Sequence, residues 1–172
     1  MTEFERSVLS ATARSPGQQF FALIDLAPHE GLLKKLVQAN DSGARLKSLF
    51  DGTPEEALLD GAPILIELSA QQRSKALLRT LISAEKASPS VTWICCRLSL
   101  EELFLHLQPY IDADMPNGRK ALFRFYDPRI LSAIRGGLSS DPLGKTLFAP
   151  ISEWWLWQSG SYRNLLEDFR HV

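Results

Sequence analysis

Apolar residues along this chain form short dense runs alternating with stretches of helical spacing, and turn-forming residues mark the boundaries. Gln19 to Ala27 (QFFALIDLA) is an apolar run of strand length closed by Pro28. Glu30 to Gln38 places Leu32, Leu33, Leu36 and Val37 at helical spacing, and Asn40-Asp41-Ser42-Gly43 stops the helix. Leu46 to Phe50 reads as a short strand before the Asp51-Gly52 turn. Pro63 to Leu68 (PILIEL) has the length of a buried strand, and a helix over Gln71–Ser83 follows with Leu77, Leu78, Leu81 and Ile82 on one stripe. Beyond Pro89, Val91 to Arg97 (VTWICCR) is β-branched and aromatic, which favours a strand. Ser99 with Glu102 three residues later forms a capping box, predicting a helix to about Leu107 that stops before Pro109.

The second half continues the alternation. Met115-Pro116-Asn117-Gly118 is a turn, and Ala121 to Tyr126 (ALFRFY) reads as a strand with Leu122, Arg124 and Tyr126 on one face and Phe123 and Phe125 on the other. A helix is expected from Pro128 to about Arg135, ending on Gly136-Gly137. Phe148 to Trp157 (FAPISEWWLW) is a last strand interrupted at Pro150, with Trp155 and Trp157 on one face and Trp154 and Leu156 on the other. Tyr162, Leu165, Leu166 and Phe169 fall at i, i+3, i+4 and i+7, which predicts a short C-terminal helix with one apolar face. The predicted fold class is therefore α/β: a single domain with a mixed or mostly parallel sheet of about five strands flanked by helices. Residues 1–18, ending on Ser15-Pro16-Gly17, form a short helix or loose lead-in; residues 19–158 form the domain, and 159–172 the terminal helix.

A length of 172 residues fits one domain, and 45% hydrophobic with 23% charged residues is a globular composition. Nineteen basic residues against twenty acidic leave a net charge of −1, so nucleic acid and anionic membranes are not expected partners. No apolar run approaches the roughly 18 residues of a membrane span, and the acids Glu3 and Glu5 with no apolar stretch argue against a signal peptide. Cys95 and Cys96 are adjacent and on a strand point to opposite faces, so they are expected as reduced thiols of a cytoplasmic protein. His29, His106 and His171 are scattered, and no metal or cofactor is expected. Leu143-Gly144-Lys145-Thr146 ends like a phosphate loop, but Ser139 occupies the first glycine position and a helix precedes it, so phosphate binding is not expected. Oligomeric state is open.

The chemically richest segment is Leu122-Phe123-Arg124-Phe125-Tyr126-Asp127-Pro128-Arg129-Ile130-Leu131. Asp127 is a good N-cap and Pro128 suits the first helical position, which makes a sharp corner into the helix. Arg129 opposes the helix dipole in the first turn and calls for a carboxylate, Asp127 or Glu67. Arg124, enclosed by apolar residues, either pairs internally or marks a contact face. Trp154, Trp155 and Trp157 are core residues or interface anchors, and the face carrying Tyr162, Leu165, Leu166 and Phe169 either caps the core or docks a partner. An enzymatic alternative has Asp127, Arg129 and Glu67 converging at strand ends on a small polar substrate.

The segment "LFRFYDPRIL", followed by the aromatic strand "FAPISEWWLW", resembles the signature of the type VI secretion effector adaptors, the Tap or TEC-type chaperones, long catalogued as a domain of unknown function. "FFALIDLA", "LKSLFDGTPEEAL" and "APILIEL" follow a similar upstream order, so the resemblance covers about Gln19 to Trp157. It implies a non-enzymatic cytoplasmic protein that binds a type VI effector and helps load it onto the VgrG spike protein. Carried over by position, the motif residues are Arg124, Phe125, Tyr126, Asp127, Pro128 and Arg129, with Pro63 opening "APILIEL". The chain departs at Ile24-Asp25-Leu26-Ala27, where an Asp-Gly or Asp-Ala turn is common, and in its short stretch after Trp157.

Overall fold

A computed structural model of the chain describes residues 3–9, 16–41, 43–68 and 75–167. Strands β1 (Gln19–Asp25), β2 (Leu46–Ser48), β3 (Pro63–Glu67), β4 (Val91–Cys96), β7 (Ile151–Gln158) and β8 (Ser161–Asn164) form one six-stranded sheet in the order β2-β3-β1-β4-β7-β8. A separate hairpin pairs β5 (Asp112–Asp114) with β6 (Lys120–Leu122). The helices are α1 (Leu32–Ala39), α2 (Lys75–Ala87), α3 (Leu100–Leu107), α4 (Pro128–Ser140) and α5 (Pro142–Phe148).

Every pairing in the sheet is antiparallel, which corrects the expectation of a mixed or mostly parallel sheet of about five strands. The alternation of strand and helix is real. It arises because α2 carries the chain from β3 to the like-directed β4, while β1 lies between them and pairs with both. Central strands β1, β3 and β4 are buried along nearly their whole length, since both faces of the sheet are covered. Continuous apolar runs are also what a parallel sheet needs, so the pattern did not separate the two.

The register divides the core into two layers. Ile66, Ala22, Trp93 and Trp155 lie side by side on one face; α2 packs there through Glu85, and Phe4 packs tilted against Trp93 with ring centroids 4.4 Å apart. The opposite face holds Leu65, Leu23, Thr92 and Leu156 in line, with Trp154 covered by Phe125 and Phe148. The predicted capping box is present: the Glu102 N–H donates to Ser99 Oγ at 3.3 Å and the Ser99 N–H to Glu102 Oε2 at 2.8 Å. Cys95 and Cys96 are both buried and are not joined in a disulfide.

Three further expectations are corrected. ALFRFY is a strand only to Leu122, because the chain then turns and buries both Phe125 and Tyr126, neighbours that a strand would point apart. Helix α4 runs through Gly136-Gly137 to Ser140, since neither glycine takes the left-handed conformation that stops a helix. Asp141 instead ends α4 and caps α5 through a 2.7 Å bond from the Leu143 N–H, so Leu143-Gly144-Lys145-Thr146 is helical. Finally, the predicted C-terminal helix over 159–172 is replaced up to Asn164 by β8, which folds back on β7 through Ser159-Gly160. Both turn residues have positive φ, 53° and 85°, the geometry of a tight two-residue hairpin. Phe169 lies outside the described residues. Of the lead-in, residues Glu5–Leu9 form a helical turn, and Phe4 just before it and Val8 within it join the core.

Candidate functional site

The corner between β6 and α4 is organised by charge. Asp25 ends β1 and is 1% exposed, with Oδ1 accepting from the Ala27 N–H at 3.0 Å and Oδ2 paired with Arg124 Nη2 at 2.5 Å. Arg124 Nη2 lies 3.6 Å from Asp127 Oδ2 as well. Asp127 caps α4 by accepting the Arg129 N–H at 2.9 Å, and Arg129 donates from Nε and Nη2 to its two oxygens at 3.0 and 2.8 Å. The result is a chain of alternating charge, Asp25–Arg124–Asp127–Arg129. Burial opposes the charge on Asp127, but the bonds from Arg129 and the positive charges of Arg129 and Arg124 outweigh it and hold the carboxyl below its ordinary value. Tyr126 is buried beside this chain, its ring centroid 6.0 Å from the Arg124 guanidinium, and burial pushes its phenol up to about 12.

Sequence reasoning placed Asp127 as the cap, called for Asp127 or Glu67 as the partner of Arg129, and left Arg124 between internal pairing and a contact face; Asp127 caps α4 and serves Arg129, and Arg124 pairs with Asp25 while also lining a groove. The convergence of Glu67 with Asp127 and Arg129 does not occur. Glu67 binds Arg45 at 2.8 Å from the far end of β3, four residues from the Pro63 that pairs with Asp25, a separation of about 13 Å along the strand. Trp154 is fully buried in the core, whereas Trp155 and Trp157 are half-buried on the other face. Tyr162 and Leu165 are core residues rather than a docking face.

Two features escaped the sequence. Asp25 sits inside an apolar run, and its only signal is an acid at the last strand position before a proline-ended turn. Glu85 shares the inner stripe of α2 with Leu77, Leu81 and Ala84 and is 2% exposed. Its Oε1 accepts from Trp93 Nε1 at 2.9 Å and its Oε2 from the Tyr162 hydroxyl at 2.5 Å, tying α2 to β4 and β8.

Beside the charged corner lies an open, mostly apolar groove of about 710 Å³, bordered by Leu33, Phe50, Leu58, Leu59, Leu122 and Tyr126, with Arg124 in its wall. Leu58, Leu59 and Leu122 are 60%, 50% and 41% exposed. The segment running along it, residues 51–60, carries Asp51, Glu55, Glu56 and Asp60 and no Lys or Arg. Among the described residues no cluster of His, Cys, Asp or Glu is arranged to hold a metal ion, and no helix is long and apolar enough to cross a membrane.

No curated protein and no solved structure matches the chain. The model of one family does match, over residues 20–144, a span that contains β1 from its second residue, all of β2 to β6, the charged corner and the apolar groove: the chain belongs to DUF4123, a domain of unknown function.

Proposed function

We propose that this chain is a non-enzymatic adaptor of the bacterial cytoplasm that binds a type VI secretion effector and assists its loading onto the VgrG spike protein. The observation that carries this reading is the open groove with Leu58, Leu59 and Leu122 exposed together beside a charged corner whose acids are bound to its own arginines. Three large aliphatic side chains around one concavity are a docking feature rather than a reaction centre. The occupant has a definable chemistry. An apolar effector segment flanked by Lys or Arg complements both the groove and the acidic stretch 51–60. The "LFRFYDPRIL" segment supplies the class of partner through its resemblance to effector adaptors.

The test is co-expression with the effector and VgrG proteins encoded beside this chain's gene. The effector is expected to gain soluble yield and to co-purify with the chain. Leu58→Ser with Leu59→Ser is expected to weaken the complex at least about tenfold while leaving the melting temperature unchanged, because both residues are exposed. No complex with either protein, when all are folded, overturns the reading.

A further inference from the structure

A second open surface lies on the other side of the charged corner, and its chemistry is opposite to that of the groove. Arg124 lines the groove, whereas Arg129 lines a cleft of about 700 Å³ at the β7–β8 end of the sheet. Lys86 from α2, Arg129 and Arg135 from α4 and Arg163 from β8 all border this cleft. Lys86 Nζ stands 5.5 Å from the centroid of the Trp157 ring, which forms part of the same wall. Glu85 is the one acid of the lining, and it is buried and bonded to Trp93 and Tyr162, with burial raising its carboxyl to about 7. Both of its oxygens are taken up by Trp93 and Tyr162. Asp127 neutralises part of the charge of Arg129; Lys86 and Arg163 are both exposed. Four cations from three elements thus meet around one cleft in a chain whose net charge is −1.

The shape narrows the ligand. A smaller cleft of about 370 Å³ shares Arg135 and Arg163 with the first and continues past Tyr162 and Asn164 to the exposed Glu167, so the concavity follows β8 and its cationic part ends before Glu167. β8 is the last strand of the sheet among the described residues, and an edge strand accepts extended chain. An elongated trough along an edge strand suits an extended polypeptide, and the nearly neutral chain offers no bulk attraction to a long polyanion such as nucleic acid beyond this cleft.

From the cationic trough along β8 we infer that the chain has a second protein-binding site, separate from the apolar groove, that takes an extended Asp/Glu-rich segment of a partner. Lys86 and Arg163 supply the exposed charge and Trp157 the apolar wall. This site does not depend on the identity of the groove's occupant.

Fluorescence anisotropy with labelled hexaglutamate tests it on the full chain. Binding is expected at low salt and is expected to fade as sodium chloride rises from about 50 to about 300 mM, as exposed charges are screened. Lys86→Glu with Arg163→Glu is expected to weaken it at least about tenfold. Lys34→Glu with Lys35→Glu, the same change in net charge placed on the exposed side of α1, is expected to leave it within about twofold of the parent. Lys86→Gln with Arg163→Gln provides a milder pair and should fall between the parent and the charge-reversed variant at unchanged melting temperature. Absence of hexaglutamate binding, equal losses from the two charge-reversed pairs, or tighter binding of a short single-stranded DNA than of hexaglutamate would each overturn the assignment. The neighbouring effector's binding to Leu58→Ser/Leu59→Ser reads the groove separately, so either site can fail alone.

Discussion

The buried carboxyl of Glu85 makes the sharpest quantitative prediction. It is 2% exposed and receives hydrogen bonds from Trp93 Nε1 and the Tyr162 hydroxyl. Desolvation raises its pKa from 4.5 to about 7; the bonds from Tyr162 and Trp93 and the charge of Lys86 oppose this and lose. Desolvation and the adjacent Glu85 likewise raise the Tyr162 phenol, which therefore stays protonated. In the unfolded chain Glu85 titrates at its ordinary value. Between the two pKa values the folded state holds more protons than the unfolded state, so stability falls as pH rises. The step from 4.5 to about 7 corresponds to about 3 kcal/mol in total, of which about 2 kcal/mol is lost between about pH 5.5 and 7.5.

Glu85→Gln isolates this effect because a neutral amide mimics the protonated acid. Its oxygen accepts from Trp93 while its NH2 donates to the Tyr162 oxygen. Melting temperatures of parent and variant should be followed across that pH range by circular dichroism. The variant is expected to gain on the parent by about 2 kcal/mol, or about 6 °C for a domain of this size. Taking the difference cancels the titration of other groups, including His29, whose pKa burial lowers. A difference that does not change with pH, or one in which the parent gains as pH rises, would refute the argument that burial governs this carboxyl.

The remaining predictions address the corner, the helix crossing and the chain end. Asp127→Ala removes a cap and the partner of two guanidinium groups and is expected to cost about 3 kcal/mol; Asp127→Asn keeps an oxygen for the Arg129 N–H and should cost about half as much in urea unfolding. Gly144→Ala would place a Cβ 2.0 Å from the Leu138 carbonyl oxygen, so calorimetry should show a loss of about 2 kcal/mol or more despite alanine's better helix propensity. Removing residues 161–172 deletes Tyr162, Leu165 and Leu166 from the core and should lower the melting temperature sharply, leaving no folded protein in which binding alone is lost.

What was legible in the sequence was local. Strands β1, β3 and β4 follow from dense apolar runs, the Ser99–Glu102 box from its spacing, and the Asp127-Pro128 corner from cap chemistry. Strand direction was not legible, because it depends on β1 being placed between β3 and β4, a pairing that no local pattern encodes. The last segment misled for a related reason. Tyr162, Leu165 and Leu166 meet a helical spacing, but the Ser159-Gly160 turn and the facing Trp157 make Tyr162 a cross-strand neighbour instead, its ring 4.9 Å from that of Trp157. Acids buried by tertiary contact, Asp25 and Glu85, resemble solvated ones until their partners, 99 and 77 residues away for Arg124 and Tyr162, are known.

The arrangement of the corner also separates what a motif marks from what a surface recognises. Arg124, Asp127 and Arg129 bind one another and Asp25, so their first effect is to fix where β6 ends and α4 begins. That choice sets Arg124 in the wall of the apolar groove and Arg129 in the wall of the cationic cleft, on either side of one buried carboxylate. The side chains free to meet a partner come from elsewhere: Leu58 and Leu59 from the connection between β2 and β3, Lys86 from α2 and Arg163 from the edge strand. If the two proposed surfaces are the binding sites, a chain that keeps the corner and changes these four residues keeps the fold and alters its partners, whereas a change at Asp127 alters both at once. On the proposed reading, the "LFRFYDPRIL" segment marks the scaffold, and the choice of partner rests with the residues that the scaffold leaves exposed.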